Sequence, residues 1–116
     1  MISFRSPKVE AQYREYLHDN ADGVCALCTK SASQSFAHWK IISNDFPYDL
    51  IAETHHMLAP IRHTVESGLN EDELREFAKI KESVVHLGYH YIIEATNKEK
   101  TIPEHFHLHL IVRRGR

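Results

Sequence analysis

Residues 104–112 read EHFHLHLIV, with a histidine at every second position and an apolar residue between each pair. A period of two marks extended chain, in which successive side chains point to opposite faces. His105, His107 and His109 are therefore predicted on one face of a strand, with Phe106, Leu108 and Leu110 on the other. The apolar face belongs against helices. The imidazole face must meet a cleft or solvent, since burying three rings without partners costs roughly 1–3 kcal/mol each.

The remaining elements follow from local signals. Ser6 before Pro7 is a helix start, and Val9, Tyr13, Tyr16 and Leu17 continue at helical spacing, so a short helix is expected over 7 to about 19. NADGVCALCTKSASQS reads as loop, FAHWKIISN (36–44) as a strand, and HHMLAPI (55–61) as a strand ending at or near Pro60. NEDELREFAKIKESVVHLG predicts a long helix capped by Asn70, with an apolar stripe of Leu74, Phe77, Ala78, Val84 and Val85 and a stop at Gly88. YHYIIEAT and HFHLHLIVRR read as two strands joined by the charged turn NKEKTIPE. This order, with short connections and no crossover helix inside either strand pair, implies an α+β fold. It predicts an antiparallel sheet of about five strands with two helices. Residues 1–116 are expected to form one compact domain, with an N-terminal helix and lead-in over 1–24 and a core over 25–113.

Charge narrows the partners. Lys and Arg number 14 against 16 Asp and Glu, so no basic excess points to a duplex nucleic acid. No run of about 18 apolar residues suggests a membrane span, and MISFRSPKVEAQ lacks the apolar core of a signal peptide. Cys25 and Cys28 are too close for a useful loop-closing disulfide and fit a metal half-site or a redox pair in a reducing compartment. A cytoplasmic protein is expected. The ten histidines include no consecutive run at either end, so a purification tag does not explain them.

Imidazoles in alternation suit two chemistries. They can converge on a metal ion, or form a catalytic row in which one neutral ring attacks an electrophile while its neighbours fix the tautomer and donate to developing charge. The bland alternative is an exposed strand that happens to be rich in histidine.

HFHLHLI also fits the pattern that names the histidine-triad (HIT) superfamily of nucleotidyl hydrolases and transferases. NDFPYD at 44–49, followed by HHMLAPIRH at 55–63, resembles the segment that precedes the triad in that superfamily. The form IPEHFHLH looks like the branch containing diadenosine tetraphosphate phosphorylases and related adenylyltransferases. With the cysteine pair, these matches run in order over residues 25–113. The resemblance implies a nucleotide hydrolase or nucleotidyl transferase, cleaving phosphoanhydride or phosphoramidate bonds through a nucleotidyl-histidine intermediate. His107 would be the nucleophile, His105 would orient the row, His109 would bond phosphate oxygen near the leaving group, and His55 matches an additional histidine beside the triad. Asn44, Phe46, Pro47, Tyr48 and Asp49 become candidates for base and ribose contacts. A structural zinc on Cys25, Cys28, His63 and His105 is implied, with His38 as a rival third ligand. The implied substrate is a nucleotide or dinucleoside polyphosphate, and the implied assembly a homodimer. The alternative is a nucleotide- and zinc-binding module that keeps the triad without turnover.

Two segments depart from the family pattern. DLIAET makes the stretch between Tyr48 and His55 about three residues longer than the resemblance implies, altering the ribose-side turn. The small-residue loop before the triad is replaced by ATNKEKT, which has no glycine, so phosphate contacts could fall to Lys98, Lys100 or Thr101 unless these simply form a solvated turn. After the triad the sequence runs on as VRRGR, where Arg113, Arg114 and Arg116 could meet a polyphosphate or a partner, or serve as a solubilising tail.

Overall fold

The strands Gln34–Ser35 (β1), Trp39–Ser43 (β2), Ala52–Pro60 (β3), Tyr91–Ile93 (β4) and Leu108–Arg113 (β5) form one antiparallel sheet in the order β1-β2-β3-β5-β4. Among the described residues the α-helices are Pro7–Asp19 (α1), Ala26–Thr29 (α2) and Glu71–Ser83 (α3), with one 3-10 turn at Glu66–Gly68. The structure is a computed structural model that describes residues 3–19, 25–96 and 98–115. The α+β architecture matches the expectation, as one compact domain with a third, very short helix.

Register assigns the two faces. Met57 pairs with His109, and Leu58 with Leu108. Directly opposed residues share a face and alternate along each strand, so His55, Met57 and His109 lie on one side and His56, Leu58, Leu108 and Leu110 on the other. The second side packs under α3, where Trp39, Ile41, Leu58, Ile80, Phe106, Leu108 and Leu110 form the main core. Full burial of a large apolar side chain contributes about 1.5–3 kcal/mol. On the histidine side Leu27, Ile42 and Met57 make a smaller cluster, with Cys25 and Ile102 against it.

Several boundaries move. The segment read as loop contains α2 and β1, and the expected strand over 36–44 begins only at Trp39, after a bend, and ends at Ser43. β3 starts at Ala52 because its backbone pairs with Arg113, with an irregularity between Ala52 and Thr54. β5 starts only at Leu108, so His105 and His107 precede its ladder. β4 and β5 are neighbours as expected, yet the connection between them is long rather than a tight turn, and its Asn97 lies outside the described residues. The helix predicted to reach Gly88 ends at Ser83, with turns up to Gly88 at φ 95°, a conformation that favours glycine. Leu74 and Val85, placed on its apolar stripe, are exposed. The inward line is Glu73 and Ile80, both buried, with partly buried Phe77 and Val84, and it follows helical spacing but begins with a carboxylate.

Glu73 is bonded through both its carboxylate and its backbone. Asn70 Oδ1 accepts the Glu73 N–H at 2.8 Å, and Glu73 Oε1 accepts the Asn70 N–H at 2.9 Å, a complete capping box. Arg62 reaches Glu73 Oε1 at 2.7 Å and holds its carboxyl below the usual range. Trp39 Nε1–H donates to Glu73 O at 2.8 Å.

The N-terminal segment is sewn to the turn after Tyr48. Leu50 N–H donates to Phe4 O, Ser6 N–H to Asp49 Oδ1 at 2.7 Å, and Arg5 Nε–H to Phe46 O at 2.7 Å. The expected helix start is present, with Ser6 Oγ accepting the Val9 N–H. α1 has no buried residue and rests on the site through its aromatic rings. No helix among the described residues is long and apolar enough to cross a membrane.

Candidate functional site

A cavity of about 280 Å³ opens on the histidine face of the sheet. His107 and His109 form its floor with Met57. Phe46, Tyr13 and Tyr16 form an aromatic wall, Leu27 and Lys30 come from the α2 region, and Lys100, Thr101 and Ile102 from the connection between β4 and β5. Tyr13 and Tyr16 ring centroids lie 5.1 and 5.0 Å from that of Phe46. A hydroxyl contact between Tyr13 and Thr101 joins α1 to that connection.

The triad is buried, contrary to the solvent-facing strand of the bland reading: His105, His107 and His109 are 0%, 7% and 5% exposed. Each ring has partners, and those partners fix its tautomer. A carbonyl oxygen can only accept, so His107 Nδ1, 3.0 Å from His105 O, carries the hydrogen. In the neutral ring Nε2 then holds the lone pair. The same reasoning puts the hydrogen of His105 on Nε2, 2.8 Å from Pro60 O, and leaves its Nδ1 as a lone pair.

His55 and His109 are coupled. The Tyr48 N–H donates to His55 Nδ1 at 2.9 Å, so the hydrogen of neutral His55 sits on Nε2. That nitrogen lies 2.8 Å from His109 Nδ1, which must accept, and His109 therefore carries its hydrogen on Nε2, 3.4 Å from Tyr48 Oη. The floor thus presents a lone pair at His107 and a donor at His109. Burial, followed by neighbouring positive charge, pushes the pKa values of His55 and His109 down to about 3. Burial also lowers those of His105 and His107, so all four rings are neutral at pH 7.

The His105 ring turns away from the cavity toward the cysteines. Its Nδ1 lies 3.5 Å from Cys25 Sγ and 3.4 Å from Cys28 Sγ, and His63 Nδ1 lies 3.1 Å from Cys28 Sγ. The ligand atoms of Cys25, Cys28, His63 and His105 all fall within 4.8 Å of one another. Tetrahedral zinc, at 2.3 Å from sulfur and about 2.0–2.1 Å from nitrogen, separates its donors by roughly 3.3–3.8 Å. The donor set and spacing fit a metal site, and the lone pair fixed on His105 Nδ1 faces it. His38 does not join this cluster.

The other expected residues separate. Asn44, Phe46 and Tyr48 line the cavity, whereas Pro47 and Asp49 do not. Bonds from Ser6 engage Asp49 Oδ1 and hold its carboxyl below the usual range. Lys100 and Thr101 line the cavity and Lys98 does not. Arg114 donates from Nε to Asp49 O and from its backbone N–H to Ile51 O, so it is tied to the turn; Arg116 lies outside the described residues. Arg5, Tyr13 and Tyr16 also line the cavity without a local sequence signal for that role. The two tyrosines were visible only as helix spacing, and nothing local marks Arg5.

No family model matches the chain, and no curated protein matches it significantly. Its fold is similar to that of a HIT family hydrolase from Legionella pneumophila Philadelphia 1, with a TM-score of 0.56 and 19% identity, over 79% of this chain and 95% of that one. It is similar also to the crystal structure of HTC1, with a TM-score of 0.58 and 17% identity, over 97% of this chain and 76% of that one. At these identities the likeness establishes a HIT-like fold and nothing finer.

Proposed function

We propose that this chain is a nucleotide hydrolase or nucleotidyl transferase of the histidine-triad type, acting at the α-phosphorus of a nucleotide through His107. The observation that carries the reading is the His107 tautomer. Its Nδ1–H is held by a backbone carbonyl, no hydrogen bond to Nε2 is found among the described residues, and the residue lines the cavity. A neutral, buried imidazole with a directed lone pair is a competent nucleophile toward phosphorus.

In the step proposed, the Nε2 lone pair forms the N–P bond as the bond from phosphorus to the leaving oxygen or nitrogen breaks. The electron pair departs with the leaving group, to whose developing charge His109 Nε2–H donates a hydrogen bond, and solvent supplies the proton where the leaving atom needs one. The positive charge gained by the His107 ring is eased by the His105 carbonyl on Nδ1–H. Water or another acceptor then attacks phosphorus, displaces Nε2 and loses a proton, giving the nucleoside monophosphate or its transferred ester. The Phe46, Tyr13 and Tyr16 wall offers stacking surface for a base. A dinucleoside polyphosphate is the substrate class proposed first. Cys25, Cys28, His63 and His105 would hold a closed structural zinc that fixes the strand's lead-in.

Chromatographic detection of nucleoside monophosphate from a panel of dinucleoside polyphosphates, nucleoside phosphoramidates and nucleotide sugars tests the reading. Release by the wild type that vanishes in His107→Ala is expected. No release from folded, zinc-replete protein overturns it in favour of the binding module. A homodimer is proposed as well, supported by Tyr91 exposed on the sheet edge β4 with Val85 and Leu87 exposed nearby in sequence; a monomer in light scattering removes it.

A further inference from the structure

A second, more open cavity of about 830 Å³ adjoins the first, between the N-terminal segment and the end of β4. Arg5, Tyr48, Ala95 and Glu99 line both. The Arg5 guanidinium thus stands where a ligand extending from one cavity to the other would pass. Its Nε–H is spent on Phe46 O at 2.7 Å, and the group is packed against two rings, 4.4 Å from the Tyr13 centroid and 4.8 Å from that of Tyr48. Its side chain is 14% exposed. Among the described residues, the only carboxylate near its Nη atoms is Glu10, at 3.8 Å. That is well beyond the 2.7–2.9 Å typical of a charge-assisted bond.

The turn after Tyr48 holds this placement. The residues between Tyr48 and Ala52 fold back on Tyr48 O, and this turn supplies the partners of Phe4 and Ser6 that flank Arg5 on both sides. The turn therefore docks Arg5 beside the histidine floor. The other cavity cations differ. Lys30 is paired with Asp45 at 2.9 Å, while Lys100 comes from the opposite wall, on the side of His107. Arg5 is nearer His109, where its charge helps keep that ring and His55 neutral.

We infer that Arg5 is the phosphate-binding cation of this site, gripping with its two Nη groups the phosphate chain that leads from the first cavity into the second. A planar fork already held by two rings suits the paired oxygens of a phosphate, and Glu10 is the intramolecular anion it displaces. The inference rests on the nucleotide reading for the identity of the ligand, but not for the anion site itself. It deepens that reading by making an anionic, polyphosphate leaving group the preferred one.

Calorimetric titration of the full chain with inorganic pyrophosphate, the four common nucleoside diphosphates and their parent nucleosides tests this. Arg5→Gln is expected to weaken pyrophosphate and diphosphate binding by at least about tenfold while nucleoside affinity stays within about twofold, which also shows an intact cavity. Arg5→Lys should fall between, and Glu10→Gln should tighten pyrophosphate binding, which a purely structural role for Arg5 would not produce. Unchanged phosphate affinity in Arg5→Gln, or no pyrophosphate and no diphosphate binding by the wild type, overturns the inference. Arg5-dependent pyrophosphate binding without any nucleoside or nucleotide preference keeps the anion site and removes the nucleotide reading.

Discussion

His55 Nε2 and His109 Nδ1 stand 2.8 Å apart, and the backbone N–H of Tyr48 on the far nitrogen of His55 decides which of them carries the hydrogen. Removing that donor with His55→Ala frees His109 to take the other tautomer and lose its cavity-facing Nε2–H. Turnover of the best panel substrate should fall by about 100-fold or more. His55→Gln, whose amide can donate from a similar place, should recover part of the loss. Imidazole nitrogen-15 shifts check the arrangement without any substrate. They should report Nδ1–H at His107 and Nε2–H at His109 in the wild type; the reverse at either ring contradicts the assignment.

Stability should fall with acid. His55 and His109 are buried neutral with pKa values near 3, whereas the unfolded chain protonates histidine near 6.5. Between those values the unfolded state binds more protons, so stability is full above about pH 6.5 and is lost progressively as pH drops toward 3. At pH 5 each ring costs about 2 kcal/mol relative to the plateau, readable as a drop in Tm between pH 7 and 5. Because burial also lowers the His107 pKa, the acid limb of the rate profile should lie below the ordinary histidine range.

Metal removal gives a separate readout. About one zinc per chain should be found by plasma mass spectrometry, lost in Cys25→Ser and in His63→Ala, and kept in His107→Ala. If free zinc stands at 100 times its dissociation constant, chelation removes about 2.7 kcal/mol, a fall in Tm of roughly 10 °C. Retention of metal in Cys25→Ser together with its loss in His107→Ala would move the site to the triad itself.

Glu73→Ala should destabilise the fold by roughly 2–3 kcal/mol, through loss of the capping box and of the buried acceptor for Arg62. Denaturant unfolding measures this. Since Arg62 precedes His63, the same variant should also hold zinc less tightly. Arg62 itself is half exposed, so its ion pair is not the main part of the effect.

How far these features are legible in the sequence depends on how local their cause is. Asn70 with Glu73, Ser6 with Pro7, and Gly88 announce themselves because a cap or a positive φ is decided within a few residues. The alternation around His107 identifies a strand face, though His105 and His107 precede the ladder and the His105 ring faces away from the cavity. The α3 stripe does not show in its apolar spacing at Leu74 and Val85 because its first inward position is a carboxylate, neutralised by a partner eleven residues earlier. Ala52 joins β3 through backbone pairing with Arg113, which leaves no trace in side-chain pattern. Arg5 is remote for the same reason: only the folded turn after Tyr48 brings it to the histidines.

His105 is held to three conditions at once. One ring nitrogen donates to Pro60 O, the other presents a lone pair to two thiols, and its carbonyl oxygen accepts the Nδ1–H of the next histidine in the row. Carboxamides offer both a donor and an acceptor, but from the two arms of one carbon rather than across a rigid five-membered ring, and aliphatic or aromatic replacements offer neither. Position 105 should therefore be the least substitutable in the chain, rejecting even residues that the nucleophile's own pocket would accommodate. A saturation library scored for soluble expression alone, with no activity selection, should already show histidine dominating there.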